Sequence, residues 1–381
     1  MEVPTMEPLF CPNPRCSHHN DRLQEYNGYW RKIGFHDTLV VGPVQRFRCN
    51  ACGKTYSERT FSIQYYTKRT IDLKEIHRGL TQGECISAIA RHLGCSLESV
   101  QNRIDRLGRA SIAAQARILE GFTAGEHMVA DGFESFDRSQ YHPCHHNIIV
   151  GKSSQFLYGS THVTLRRKGR MTASQRSMRS HLEQRWKPPR GGLSAAFREL
   201  MKGFLRYWDQ TVMEGLQLWT DEHPVYPQAI ASLPSLRLAM AEGRFEHRTH
   251  PSQAPRGLLN PLFSVNYYDR ELRKDLAAFH RESTCFTRNV ANGLMRIRLY
   301  LIYHNYQKRY RMRPLWLPFS HAQAAGVPAF KIREGMKGYY TDRPFLSKLS
   351  LNDEEIKIWM KAHHTPLKER KEYIPKYALA S

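Results

Sequence analysis

Three aspartates in this 381-residue chain stand where local pattern could turn them into metal ligands. In "HMVADGFESF" (127–136) an apolar run, Met128 to Ala130, leads into Asp131, as a buried strand delivering a carboxylate at its end would. "GLQLWTDEHPVYPQAI" (215–230) repeats the logic, with Leu216, Leu218 and Trp219 ahead of Asp221 and Pro224 opening the next helix. Each acid alone has a plain explanation, since aspartate is common at strand ends and helix starts, and Asp221 is placed to cap that helix. The third comes from "VNYYDRELRKDL" (265–276), read as a helix from about Phe263. Val265, Tyr268, Leu272, Leu276 and Phe279 share its apolar face, Asp269 flanks that stripe on one side and Asp275 on the other, and Glu271 points further toward solvent. Asp269 is the preferred third acid, with Asp275 and Glu271 as alternatives. Carboxylate oxygens are the hard donors that Mg2+ or Mn2+ takes, and two such ions can activate an attacking oxygen and stabilise a leaving one in phosphoryl transfer. Converging acids repel one another and hold their protons until metal binds.

The surroundings suit a polyanionic substrate. Lys and Arg total 57 against 35 Asp and Glu, a net charge of +22 spread along the chain. Arg270, Arg273 and Lys274 beside the third acid are candidates to hold phosphates. A hydrophobic share of 41% is enough for packed cores. The most apolar stretch, "LYLIYHNY", is far shorter than the roughly 20 residues that span a bilayer. The N-terminus lacks a basic region followed by an apolar run, so the expectation is a cytoplasmic, nucleoid-associated protein with no membrane partner.

Four of the eight cysteines fall in two pairs, Cys11/Cys16 in "CPNPRC" and Cys49/Cys52 in "CNAC". Each tight turn supplies half of a tetrahedral zinc site, and four protein ligands leave no open position, so the expected Zn2+ is structural. The β-branched and aromatic residues between the pairs read as a hairpin, the body of a zinc ribbon. His18 and His19 are alternative ligands to Cys16. Cys85, Cys95, Cys144 and Cys285 read as ordinary small core residues. "HPCHH" (142–146) also carries ligand types, but Pro143 breaks the spacing and the stretch reads as a polar loop.

Residues 71–108 read as a helix-turn-helix. Ile86, Ile89, Ala90 and Leu93 follow helical spacing, Gly94 stops that helix, and Ser96 caps a second whose buried face is Val100, Ile104 and Leu107. Gln101, Asn102, Arg103 and Arg106 are then expected outward, with donors suited to bases and phosphates. "AQARILEGFTAGE" reads as a linker, 166–192 as a basic insertion, and about 193–213 as a helix.

The ordered set of motifs, over about residues 11 to 313, resembles bacterial insertion-sequence transposases of the DDE type. The cysteine pairs and helix-turn-helix are similar to that group's DNA-binding front end. "MVADGFESF" and "LWTDEHPVYPQAI" are similar to its two strand-borne aspartate motifs. The block from "NYYDRELRKDL" to "YHNYQKRYR" is similar to its C-terminal region. Many such enzymes carry a glutamate as third acid, followed after two residues by Asn and then Leu-Arg; here Asn266 holds the glutamate's place and Asp269 the asparagine's. The resemblance implies a multi-domain chain: zinc ribbon (1–66), all-α helix-turn-helix (67–122), α/β RNase H-like core with a mixed sheet (123–313), and a C-terminal extension (314–381). It also implies cleavage and strand transfer of double-stranded DNA at element ends and in the target, by a homo-oligomer using Asp131, Asp221 and Asp269. The competing expectation is a non-catalytic, zinc-dependent DNA-binding regulator.

Overall fold

The computed structural model describes residues 10–20, 28–209, 211–213, 215–280, 283–311 and 319–368. The extreme N-terminus read above for a leader, Pro314, Pro318 and the end of the C-terminal extension lie outside them.

The cysteine-bearing segment opens with a short helix, α1 (Ser17–Asn20), and a three-stranded antiparallel sheet of β1 (Trp30–Thr38), β2 (Gly42–Cys49) and β3 (Thr55–Ser57). The β1–β2 hairpin closes at Thr38↔Gly42, where Gly42 takes φ +71°, a backbone that side-chain-bearing residues resist. Its small core is Phe47 with Tyr29, Tyr56 and three of the cysteines. A core this small needs a further crosslink to be stable.

Three helices follow: α2 (Leu73–Thr81), α3 (Ile86–His92) and α4 (Leu97–Ile118). Asp72 caps α2, and Ser96 caps α4 by accepting from the Ser99 amide at 3.2 Å. Gly94 makes the intervening turn with φ +56°. Two helices joined by a short turn stand where the helix-turn-helix is expected, but α4 runs eleven residues past Leu107 and takes up the first half of the stretch read as a linker. It does so because Ile112, Ala113, Ala114 and Ile118 are all buried.

The second sheet contains β4 (Met128–Phe136), β5 (Pro143–Gly151) and β6 (Leu157–Thr164). After α5 (Ala173–Arg185) and α6 (Gly192–Leu205) come β7 (Leu216–Asp221), α7 (Val225–Ala231), α8 (Pro234–Ala241) and β8 (Phe245–His250). The strand order is β6-β5-β4-β7-β8. β4, β5 and β6 form an antiparallel meander, while β7 is parallel to β4 and β8 parallel to β7. The basic insertion folds as α5, with no buried residue and its N-terminus closed by a Thr172–Gln175 capping box. α6 stops well short of Met213, because Asp209 turns the chain by accepting from the Thr211 amide and hydroxyl.

α9 (Phe263–Asp275) packs on β4 and β5, whereas α6 packs on β5 and β6. Phe279, just beyond α9, touches Phe133 and His146, while Leu200 of α6 lies over Gly159, the partner of Ile149. Since His146 and Ile149 point to opposite faces, the two helices sandwich the sheet. α10 (Val290–Ile302) runs along α4, so close that a Cβ on Gly108 would meet the Met295 sulfur at 2.5 Å. The "YHNY" stretch continues α10 as a π-helical turn whose Asn305 clamps Leu157 through both its backbone groups, at 3.0 and 2.9 Å. The chain then forms α11 (His321–Ala324), α12 (Ala329–Met336) and α13 (Asp353–Trp359), with Trp359 buried under α4 and α10. One apolar core runs continuously from Ile63 to Trp359, and among the described residues no helix is long and apolar enough to cross a membrane.

Arg103 and Arg106, expected outward on the second helix, are instead 6% and 5% exposed. Arg103 donates to the Arg69 carbonyl at 2.5 Å, and Arg106 donates to the Ile63 and Tyr65 carbonyls at 2.7 and 2.6 Å. They close the seam between the ribbon's exit and α4, where backbone carbonyls would otherwise be buried unpaired. Gln101 is tied to Asp105 and Arg296, leaving Asn102 exposed from the expected set. Replacing Arg106 by alanine should therefore lower folding stability by roughly 1–3 kcal/mol, the cost of stranding buried acceptors. Arg106 also donates to the Asn102 side-chain oxygen at 2.8 Å, so any loss of DNA affinity per folded molecule should be no greater than that of Asn102→Ala; a variant of native stability with a larger loss would return Arg106 to the recognition surface.

Candidate active site and metal centre

Asp131 lies in the middle of β4, not at its end as expected. β5 pairs with β4 along its whole length, from Met128↔Gly151 to Phe136↔Pro143, and so extends the strand beyond the aspartate. On the other side the parallel ladder with β7 covers Met128↔Leu218 and Val129↔Trp219. Continuing that register two residues brings Asp131 level with Asp221, the last residue of β7, at the point where the strands part. The acid therefore stands at the end of the parallel pairing although not at the end of its own strand. Asp221 Oδ1 accepts from the His223 amide at 2.9 Å, which fixes the turn into α7.

Asp269 comes to the same place from α9. The buried stripe is as read: Val265, Tyr268, Leu272, Leu276 and Phe279 are all inaccessible. The helix start is pinned to the sheet by the Ser264 hydroxyl, which donates to the Lys152 carbonyl at 2.5 Å. Burial and then the charge of Asp131 push the Asp269 carboxyl well above the ordinary range, and Arg273 and Arg256 only partly oppose this. Burial chiefly pushes Asp131 up to about 6, with Asp221 adding to the rise and the Gly132 amide opposing it. Tyr226 of α7 is buried where it feels Asp131, Asp221 and Asp269 together, and its hydroxyl is held protonated by burial and by those three charges. Three carboxylates far apart in sequence thus share one electrostatic neighbourhood.

Their chemistry fits a divalent ion. Asp269 Oδ1 is buried without a hydrogen-bond partner, an arrangement that costs free energy unless a cation or a proton fills it. The pocket is looser than a closed metal cage: among the described residues two clusters bring three or more ligand atoms within 4.8 Å of one another, and the aspartates are in neither.

The alternative third acids are both engaged by other residues. Glu271, expected toward solvent, is 5% exposed and is bonded to Lys274 at 2.6 Å and to Lys308. Burial alone would raise its carboxyl, but the two lysines hold it below the usual value. Asp275 accepts from Tyr300 at 2.9 Å and pairs with Lys308 at 3.2 Å. Both serve to anchor α9 to the end of α10. Of the basic residues beside them, Arg273 lies over the Phe133 ring and donates to the Glu134 carbonyl, close to Asp269. Arg270 is exposed, and Lys274 is exposed but already engaged with Glu271.

Three neighbours were not foreseen. Arg256, in the loop before α9, is exposed yet its charge reaches both Asp131 and Asp269. Tyr226 follows Asp221 by five residues, a spacing that says nothing by itself. His145 lies directly over Gly132, where a Cβ would fall 1.7 Å from the ring, so the small residue after Asp131 was the available signal.

The four paired cysteines come together as a second candidate centre. Cys11 and Cys52 sulfurs are 3.6 Å apart, Cys16 and Cys49 sulfurs 3.7 Å, and all four lie within 4.8 Å. Zinc–sulfur bonds of ~2.3 Å give a tetrahedral edge of about 3.8 Å, so the cluster is the size a zinc ion needs. Neither alternative histidine serves: His19 bonds the Cys11 carbonyl and the Ser347 hydroxyl, each at 2.7 Å, and His18 stacks on Tyr29. His19 instead ties the sulfur cluster to the body of the protein.

No protein-family model matches the chain, and no curated protein matches it. Among solved structures it is similar to a chain of the simian T-cell lymphotropic virus intasome in complex with PP2A regulatory subunit B56 gamma. That likeness has 13% identity and a TM-score of 0.30, covering 67% of this chain and 75% of the other. A likeness at that level fixes neither fold nor chemistry.

Two outcomes are expected. Folded Asp131 keeps its proton up to about 6, against 3.8 for an ordinary aspartate, so the stability it contributes is present at low pH and is lost as pH rises through that window. In magnesium-free buffer, Asp131→Asn should raise the melting temperature near neutral pH, by up to about 3 kcal/mol in stability, and added magnesium should stabilise wild type more than the variant. Equal melting curves with and without magnesium would contradict this. Cys49→Ser should lower the zinc content by about one ion per chain; unchanged content by elemental analysis would defeat the ribbon.

Proposed function

We propose that this chain is a DNA strand-transferring enzyme, a transposase of the DDE type, with Asp131, Asp221 and Asp269 as its metal-binding catalytic acids. The observation that carries the reading is the charge coupling of Asp131 to both Asp221 and Asp269, around a tyrosine that feels all three. The strand order β6-β5-β4-β7-β8, an antiparallel meander followed by two parallel strands, supports an RNase H-like core. Magnesium or manganese, when bound there, supplies activation of the attacking oxygen and stabilisation of the leaving oxygen.

The chain's own groups divide the remaining work. Asp131 and Asp269 both hold their protons more tightly than an ordinary aspartate, and a cation bound between them would favour the ionised forms by offsetting their charge. Arg256, Arg270 and Arg273 are placed to hold phosphates beside the acids, a role that positions DNA without reading its sequence. The α5 insertion buries no residue, and Arg166 ahead of the helix pairs with Glu183 near its end at 2.7 Å. Its remaining basic side chains form a surface for the DNA backbone. Asn102 and the exposed turn before α4 remain the candidates for end recognition. Double-stranded DNA is the partner, the working form is a homo-oligomer, and zinc in the ribbon is structural.

The test is nicking and strand transfer on DNA carrying the sequences that flank the gene, with magnesium or manganese. Asp131→Asn, Asp221→Asn and Asp269→Asn should each reduce turnover more than about 100-fold, beyond the loss typical of groups that only support a metal ligand, while end binding persists. Asp275→Asn should act through stability alone. Wild-type protein that binds its ends and never cuts them under either metal would mark a DNA-binding regulator; selective loss on Asp275→Asn would move the third ligand.

A further inference from the structure

"HPCHH" is not the polar loop expected from Pro143. It is the start of β5, buried on both faces, and alternation puts Cys144 and His146 on one of them. On β6, His162 is the register partner of His146, and Thr164 that of Cys144. One ligand atom from each of Cys144, His146 and His162 lies within 4.8 Å of the other two, with the thiol 3.7 Å from His146 Nε2. Cys144 is 1% exposed, His146 5%, and the His162 side chain 4%.

We propose that Cys144, His146 and His162 form a second transition-metal site, for zinc or an ion of similar softness, with Asp137 as its companion carboxylate. Thiolate plus two imidazoles is a donor set that zinc accepts. The polar groups here are poorly satisfied without an ion: His146 Nδ1 is buried with no partner, and its other nitrogen meets only the thiol. Asp137, 3% exposed, bonds His162 Nε2 at 2.8 Å and accepts from Thr164 at 2.5 Å. A carboxylate that orients a ligating imidazole is a recurrent partner of metal sites. The charges also close: a divalent ion with one thiolate and one carboxylate is neutral, which removes the cost of burying an acid in this core. Such an ion would link the end of β4, through Asp137, to β5 and β6, and so brace the strand that carries Asp131. It is separate from the four-cysteine cluster and independent of the proposed activity.

Elemental analysis of the purified full-length chain tests this. Wild type should hold about two zinc ions per chain, and Cys49→Ser and Cys144→Ser about one each. His162→Gln, which keeps a polar group of similar reach, should also lose that ion and guards against a Cys144 variant that fails to fold. Cobalt added to the Cys49→Ser protein should give a thiolate-to-cobalt absorption band that Cys144→Ser removes, and Asp137→Asn should weaken that binding by roughly 10–100-fold. Wild type holding about one zinc, all of it lost on Cys49→Ser, would overturn the proposal. So would folded Cys144→Ser and His162→Gln proteins with wild-type metal content.

Discussion

The repulsion between buried carboxylates is the constraint around which the central sheet is arranged. Burial raises the proton affinity of Asp131 and of Asp269, the charge of Asp131 adds to the rise on Asp269, and that of Asp221 adds to the rise on Asp131. A fold does not gather like charges in a half-buried pocket without a compensating group. Arg256 and Arg273 offset only part of the rise on Asp269. An imbalance of this kind suits a site that a cation completes.

Holding that arrangement takes a rigid frame, and the frame explains much of what surrounds it. α9 is fastened at its start by Ser264 to the β5–β6 turn and at its end by the Glu271, Asp275 and Lys308 cluster. Asn305 joins the end of α10 to β6, and α10 in turn lies against α4 at Gly108. The long α4 therefore couples the segment with helix–turn–helix geometry to the sheet that bears the acids, through packing and not through a flexible linker. A displacement at the turn before α4 would be transmitted to α10, because close-packed interfaces shift as units.

The ribbon is attached by different means. Phe10, Phe61 and Phe345 stack edge to face between it and the body, and His19 reaches Ser347. Its own core is a handful of aromatic rings around sulfur, so docking on the body supplies order that a larger apolar interior would otherwise give.

Local pattern by itself determined the cysteine pairs, the capped helix after Gly94, the α9 stripe and the placing of Asp131 and Asp221 on strands, because each rests on spacing within one turn or one strand. The tertiary structure alone decided the rest. It turned Arg103 and Arg106 inward, since the carbonyls they satisfy come from residues 34 to 43 positions away in sequence. It engaged Glu271 and Asp275 with Lys308 and Tyr300, which reach them from beyond α9, and left Asp269 Oδ1 without a partner. It made a buried strand of "HPCHH", because whether a histidine is solvated or walled in depends on the strand paired beside it, and β6 arrives only through the fold.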